Sequence, residues 1–205
     1  MDRRTIMTKP KILIINGSVN GDIGQSGMIS AKIKLHFTQY EMKVLTLNSN
    51  DDISTWEEMV SWADGYIFLT GTYWDSWGSP MQKFLEKTTD WEVSSRWLGK
   101  PASVIVTMHS VGGKSVLSRL QGVLNTFGLV IPPLCGLVYS LNTHLIESDS
   151  THKSDFWNLS EIKTLIKNLE IQIITNKSVV QDWATWEVDT GDVKRAWLIP
   201  DEIKL

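Results

Sequence analysis

The chain has 205 residues, of which 42% are hydrophobic and 21% are charged, as is ordinary for one soluble globular domain with a sizeable core. Its formal net charge of -3 excludes a strongly basic protein that binds nucleic acid or an anionic membrane surface through overall charge. No apolar run approaches membrane-spanning length, and the opening MDRRTIMTKPK lacks the apolar region expected of a signal peptide.

The single cysteine and the many tryptophans add two further expectations. Cys135 excludes an intrachain disulfide and a Cys-x-x-Cys metal motif, so we expect a small core residue in a reducing cytoplasm. The 10 tryptophans are unusual. Exposed aromatics mark an interface or a site for a planar ligand, whereas half-covered loop aromatics are the plain alternative. Those predicted to lie outside the core are Trp74, Trp77, Trp91, Trp97, Trp157, Trp183, Trp186 and Trp197.

The first predicted strand leads into a polar loop. Residues 11–15 form a short isoleucine-rich run, which indicates a strand buried on both faces, as in a parallel sheet. Residues 16–26 are mainly small and polar, and a helix follows. This layout binds phosphate, because glycine lets N–H groups face one anion and the helix N-terminus adds positive charge. A plain turn is an equal alternative, since neither GxGxxG nor GxxxxGK[ST] occurs in this loop.

Helices and strands then alternate along the chain. The predicted elements are a helix 27–40, a strand 42–47, a helix 54–63, a strand 66–70, a helix from about Pro80, a strand 103–108, a helix 114–127, a strand 129–138 and a helix 159–176. Ser54 and Glu57 predict a capping box, and Gly128 predicts a helix C-cap. Two adjacent prolines, Pro132 and Pro133, favour an edge position for the fifth strand.

This alternation predicts a single α/β domain over residues 1–205, with a core at about 9–176 and a C-terminal extension at 177–205. Helices cover both faces of a parallel sheet, and right-handed crossovers limit the fold to doubly wound forms. Ligands bind such sheets beyond the carboxyl ends of the strands. The loops 16–26, 71–80 and 109–113 follow strands one, three and four, which are neighbours in the order 2-1-3-4-5. The extension shows no clear period and packs either on the domain or on a partner subunit.

The three loops carry motifs of a known family. The second loop carries Tyr73, Trp74, Ser76, Pro80, Lys83 and Phe84. With these residues it resembles the corresponding loop of the NADPH-dependent FMN reductase family, which belongs to the flavodoxin-like superfamily. The first and third loops match through Gly17, Ser18, Ser26, Thr107, Ser110, Gly112 and Gly113, and Gly99-Lys100-Pro101 precedes the fourth strand as in the family. The resemblance covers about residues 9–138. It implies a flavodoxin-like three-layer sandwich with a five-stranded parallel sheet in the order 2-1-3-4-5.

The resemblance also implies an activity. It indicates an FMN-dependent oxidoreductase that passes electrons from NADPH or NADH to a quinone, a flavin, a nitro or azo aromatic or a metal ion, without a catalytic side chain or a resident metal. A homodimer is expected, with no nucleic-acid or membrane partner. The cofactor-binding residues implied are Ser18, Asn20, Gln25, Ser26, Gly71, Thr72, Tyr73, Trp74, Asp75, His109, Ser110, Gly112 and Gly113.

The sequence departs from the family in its loops, and alternatives stay open. Val19 and Asn20 stand where the family has an arginine, Gly71 replaces a proline, and Trp77 adds bulk. His109 either contacts the flavin or is polar filling. Two other functions remain: a flavodoxin-like electron carrier, and a flavin-less interaction module on the same fold.

Overall fold

The computed structural model describes residues 9–49, 52–141, 160–179 and 181–186. Within these ranges five parallel strands form one sheet in the order β2-β1-β3-β4-β5, which confirms the predicted fold class. The strands are β1 (Lys11–Asn16), β2 (Glu41–Thr46), β3 (Gly65–Gly71), β4 (Ala102–Met108) and β5 (Gly136–Ser140). The helices are α1 (Gln25–His36), α2 (Ile53–Trp62), α3 (Ser79–Lys87), α4 (Gly113–Thr126) and α5 (Ser160–Ser178).

The sheet is buried on both faces because its central strands are apolar on both sides. In β1, Leu13 and Ile15 face the core beneath α2, α3 and α4, whereas Ile12 and Ile14 face the core beneath α1 and α5. This arrangement forms three layers, and it explains the unbroken apolar run in the sequence. Within the part of the chain described, no helix is long and apolar enough to cross a bilayer.

The fifth strand is shorter than the sequence predicts. It begins at Gly136, not at residue 129, and it lies at the edge of the sheet as expected. Two prolines precede it, and they have no N–H to donate to a strand ladder. A turn replaces the early part of the predicted strand, where the N–H of Cys135 donates to the carbonyl of Pro132 at 3.2 Å.

The helix bounds also shift, by one to four residues. Helix α1 begins at Gln25 and ends at His36, so the predicted end near Tyr40 is wrong. Gly128 follows the capping residue Phe127 of α4 with φ 101°, a left-handed value that glycine adopts readily. The predicted inward face of α5 is buried, and its members are Ile162, Leu165, Ile166, Leu169 and Ile173.

Two tryptophans predicted to lie outside the core are buried, contrary to expectation. Trp91 and Trp97 pack into the core beneath α3 and α4. Trp74, Trp183 and Trp186 are exposed, as predicted. Trp77 is half-buried, and Trp157 and Trp197 lie outside the described residues. Cys135 is buried as predicted, and burial raises the pKa of its thiol to about 12, which keeps it protonated.

Helix α2 is capped by Asp52, not by the predicted Ser54–Glu57 box. The Asp52 carboxylate accepts hydrogen bonds from the backbone N–H groups of Ser54 and Thr55, at 3.3 and 3.1 Å. Glu57 instead forms an ion pair with Arg96. The aspartate one position before the first helical residue satisfies two of the free N–H groups of the first turn.

Replacing Asp52 with alanine is expected to lower the melting temperature at neutral pH but not in strong acid. Hydrogen bonds from Thr55 and Ser54 lower the pKa of Asp52 from 3.8 to about 2. A carboxyl group with a lower pKa in the folded state stabilises the fold above its unfolded pKa, and this contribution is lost as the pH falls from 3.8 through about 2. Calorimetry of both proteins across that window measures the effect, and a difference that persists unchanged below it would contradict the assignment.

Candidate functional site

The three predicted loops converge at the carboxyl edge of the sheet. Strands β1, β3 and β4 are direct neighbours, so the segments that leave Asn16, Gly71 and Met108 meet there. They enclose a cavity of about 200 Å³. Its lining residues are Ser18, Asn20, Gly24, Gln25, Ser26, Gly71, Thr72, Tyr73, Thr107, Met108, His109 and Leu141.

The first loop is held by its own polar groups. The Oδ1 atom of Asn16 accepts hydrogen bonds from the backbone N–H and the hydroxyl of Ser18, at 3.2 and 2.9 Å. The N–H of Gly17 donates to the carbonyl of Leu69 at 2.8 Å, which ties the loop to β3. A short 3-10 turn, Gly21–Ile23, then leads to α1. These hydrogen bonds within the protein hold the shape of the loop.

The start of α1 faces the cavity with free hydrogen-bond donors. Gly24, Gln25 and Ser26 line the cavity, and in the described residues no side chain caps the helix at Gly24. The first N–H groups of a helix lack acceptors within it, and they point toward the N-terminus with a positive dipole. An anion is the natural acceptor for such groups.

A threonine at the end of β4 joins the three loops. The Oγ1 atom of Thr107 lies 3.3 Å from the Oγ atom of Ser26. The carbonyl of Thr107 accepts the N–H of Thr72 at 2.7 Å. The Oγ1 atom of Thr72 is buried without a hydrogen-bond partner among the described residues. A buried hydroxyl without a partner is unfavourable, so a ligand atom at this wall would stabilise it.

The second loop forms a tight two-residue hairpin. Tyr73 and Ser76 form an antiparallel bridge, and Trp74 and Asp75 between them have φ values of 49° and 56°. A left-handed conformation costs a residue other than glycine roughly 1–2 kcal/mol. The ring of Tyr73 packs on Gly71, where a Cβ atom would lie 2.9 Å from the ring atom Cε2. Glycine at this position therefore allows the ring to cover the strand end.

The third loop needs a glycine beside the hairpin. Gly112 has φ 88°, and a Cβ atom on it would lie 2.2 Å from the Oδ1 atom of Asp75. His109 lines the cavity, whereas Ser110 is exposed. Gly113 is buried against Val138 at the first turn of α4. The second and third loops thus pack closely through a residue without a side chain.

The structure brings together eight of the thirteen predicted cofactor residues in the cavity wall, and these are Ser18, Asn20, Gln25, Ser26, Gly71, Thr72, Tyr73 and His109. The other five are not among the lining residues and lie at the hairpin tip, in the third loop or at the start of α4, and these are Trp74, Asp75, Ser110, Gly112 and Gly113. The position of Thr107 and Met108 at the end of β4 could have identified them as wall residues. Gly24 belongs to the predicted phosphate loop 16–26 but was not among the predicted cofactor residues, and no sequence signal pointed to Leu141.

The cavity matches a phosphate held by neutral groups. Among the described lining residues none is lysine or arginine, in agreement with the missing loop arginine. Donors are supplied by the first turn of α1 and by the side chains of Asn20, Gln25 and Ser26. The hydroxyl of Thr72, which has no partner among the described residues, also belongs to a lining residue. A phosphorylated molecule with further polar groups fits this donor set. No described cluster of histidine, cysteine or acidic side chains could hold a metal ion.

Comparison with known proteins identifies one matching family and many solved structures with a similar fold. The sequence model of the family described as NADPH-dependent FMN reductase matches residues 10–140. No curated protein sequence matches significantly.

Three solved structures illustrate the likeness of the fold. RosB, with a bound 8-demethyl-8-formylriboflavin-5'-phosphate, is 15% identical with a TM-score of 0.64, over 89% of this chain and 92% of that one. The apo form of the NADH:FMN oxidoreductase EMOB is 16% identical with a TM-score of 0.57, over 82% of this chain and 90% of that one. General stress protein 14 from Treponema denticola, in complex with FMN, is 11% identical with a TM-score of 0.55, over 80% of this chain and 99% of that one.

Proposed function

Because the chain belongs to the NADPH-dependent FMN reductase family, we propose that it is an oxidoreductase that binds FMN in the cavity at the carboxyl edge of its sheet. The observation that carries the proposal is the convergence of three loops beside the free N-terminus of α1. Two of the solved structures of this fold contain FMN or a derivative of riboflavin 5'-phosphate.

We assign the FMN phosphate to the first loop. The backbone N–H groups at the start of α1 would bind it together with the side chains of Asn20, Gln25 and Ser26. Ser18 contributes differently, because its hydroxyl already donates to Asn16 and holds the shape of the loop. The phosphate would therefore rest on neutral donors and a helix dipole.

We assign the ribityl chain and the flavin ring to the second and third loops. Gly71, Thr72 and Tyr73 form one wall of the cavity, and His109 forms part of the other. The cavity of about 200 Å³ is smaller than the roughly 300–1,000 Å³ of typical ligand pockets, so part of the ring would lie over the exposed loops. There Trp74, Asp75, Ser110 and Gly112 would complete the predicted contacts, whereas Gly113 is buried against Val138 at the first turn of α4.

The residues of this chain bind and orient the cofactor, and they need not exchange protons with it. The chemistry supplied by bound FMN is acceptance of a hydride from NADPH or NADH and onward transfer of electrons to a small acceptor. Thr72 and the loop N–H groups would present neutral donors to the ligand. A quinone, a flavin or a nitro or azo aromatic is the proposed acceptor, and a cytoplasmic homodimer is the proposed form.

The purified protein is expected to be yellow, or to become yellow when FMN is added and the excess is removed. Anaerobic addition of NADPH or NADH should then bleach the flavin absorbance, and readmitted acceptor should restore it. A protein that binds no FMN would contradict the proposal and would favour an interaction module. A yellow protein that neither nicotinamide reduces, but a redox partner does, would favour an electron carrier.

A further inference from the structure

The tip of the second loop adopts a conformation that its own residues disfavour. Tyr73 and Ser76 exchange two backbone hydrogen bonds, at 2.8 and 3.0 Å, around Trp74 and Asp75. Both central residues have positive φ, which is the geometry of a type I′ turn. This turn favours Asn-Gly, because glycine and asparagine tolerate positive φ, whereas a tryptophan there is uncommon. Contacts from outside the turn must therefore stabilise it.

One side chain from α4 contacts the second central residue of this turn and the tryptophan that follows the turn. The Nη1 atom of Arg119 donates to the carbonyl of Asp75 at 2.9 Å. Its guanidinium carbon lies 5.0 Å from the centre of the Trp77 ring, within the range of a cation–π contact. The Nε1 atom of Trp77 in turn donates to Gln82 at 2.8 Å, which anchors that ring to α3. Arg119 thus links the hairpin tip to two helices.

The conformation of the tip sets the wall of the cavity. Tyr73 is the first residue of the hairpin and lines the cavity together with Thr72. Its ring packs between Gly71 and Gly78, where Cβ atoms would lie 2.9 and 3.4 Å from the ring atom Cε2. If the tip relaxed to a right-handed turn, the Tyr73–Ser76 bridge would open and the Tyr73 ring would no longer pack between the two glycines.

We propose that Arg119 is a positioning residue, which holds the Trp74–Asp75 turn in its left-handed conformation and so keeps Tyr73 in the wall of the flavin cavity. Arg119 touches the backbone of the turn and not the cavity, so it acts through the loop. The flavin part of this inference rests on the proposed function, whereas the conformational part stands on the ligand-free protein.

A double-mutant cycle with Asp75→Gly tests the proposal. Glycine at the second central position favours the type I′ turn by itself, and it keeps the carbonyl that Arg119 contacts. In the native background, Arg119→Ala is expected to lower the protection of the Tyr73 and Ser76 amides from hydrogen exchange about fivefold, and to weaken FMN binding about fivefold. In the Asp75→Gly background the same change should alter each quantity less than about twofold.

The controls separate positioning from charge and from global stability. Lys163→Ala removes an exposed cation from α5, far along the chain from the hairpin, and should leave both quantities unchanged. Arg119→Lys keeps a donor for the Asp75 carbonyl and should restore part of the amide protection. Exchange of the amides in β3, recorded in the same spectra, should be the same in all variants.

Two outcomes would overturn the inference. Equal losses of amide protection from Arg119→Ala in both backgrounds would show that Arg119 does not act through the turn. Unchanged protection in both would show that the turn needs no support. If amide protection follows the cycle but no variant binds FMN, the proposed function fails and the positioning role stands. If FMN binds normally and protection never changes, only the positioning role fails.

Discussion

Truncating Trp97 to alanine is expected to lower the free energy of unfolding by about 3–5 kcal/mol. Trp97 is fully buried in the core beneath α3 and α4. Its ring lies 5.0 Å from the ring of Tyr66 in an edge-on arrangement, and it also contacts four other aromatic rings. Their centroids lie between 6.0 and 6.5 Å away, and they belong to Phe68, Phe84, Trp91 and Phe127. Alanine would leave a cavity that this rigid aromatic cluster cannot fill.

Trp74→Ala is the matched control, since it makes the same chemical change at a fully exposed position. Its effect should stay within about 0.5 kcal/mol, as for other surface changes. Urea unfolding with equal m-values for the three proteins measures both differences. A loss below about 1 kcal/mol for Trp97→Ala would contradict the central position of this residue in the core.

A second substitution at the same position isolates the contribution of ring volume. The Nε1 atom of Trp97 is buried without a hydrogen-bond partner in the described parts of the chain. Trp97→Phe removes this unsatisfied donor and part of the ring, so two effects of opposite sign act together. Alanine removes the same donor, so we expect a smaller loss for Trp97→Phe, and an equal loss would show that the retained ring contributes nothing to packing.

The burial of Trp97 shows where sequence reasoning reached its limit. Residues 88–99 have no helical or strand period, so the sequence predicts a connection with tryptophan and valine anchors and places Trp91 and Trp97 outside the core. The short 3-10 helix Thr89–Trp91 and the turns after it fold this segment back over α3 and α4. Periodicity detects a buried face only when the backbone repeats regularly, and here the backbone is irregular.

The fold itself could be predicted because the physical signals agree. Each central strand is a short apolar run, and the helices α2, α3 and α4 each bury an apolar face, so a parallel sheet covered by helices buries both. The strand bounds in β1, β2, β3 and β4 were predicted within one residue. The error at β5 arose where prolines interrupt an apolar run, and a run of apolar residues alone cannot distinguish a strand from a buried turn.

The site was predicted in part, for the same reason. The rule that ligands bind beyond the carboxyl ends of parallel strands placed three loops together, and eight of the predicted residues line the cavity. The left-handed turn at Trp74 and its contact with Arg119 could not be predicted. They depend on a pairing between a loop and a helix surface 44 residues apart, and although aspartate is a common turn residue, nothing in the sequence indicates the contact with Arg119.

Replacing Gly27 with alanine is expected to weaken FMN binding at least tenfold and to destabilise the fold by about 1–3 kcal/mol. A Cβ atom on Gly27 would lie 2.2 Å from the carbonyl oxygen of Asp22 and 2.4 Å from its carbonyl carbon. These are backbone atoms of the turn before α1, so they cannot swing aside as a side chain does. The turn and the start of α1 must separate, and the N–H groups beside Ser26 would then lose their common direction.

Gly122→Ala provides the control, because a Cβ atom there would meet no described atom within 4 Å in an exposed part of α4. Alanine is the better helix former by about 1 kcal/mol, so this variant should be slightly more stable and should bind FMN normally. Titration by flavin fluorescence measures the affinities, and urea unfolding measures the stabilities.

Riboflavin distinguishes a phosphate cradle from a general distortion of the cavity. It lacks the phosphate, so damage at the start of α1 should reduce its affinity much less than that of FMN. The affinity for FMN divided by that for riboflavin should therefore fall in Gly27→Ala and stay constant in Gly122→Ala. If the affinities for FMN and riboflavin fell equally in a fully folded Gly27→Ala variant, the N-terminus of α1 would not bind the phosphate. The reason is that the phosphate is the group expected to interact with its free N–H groups.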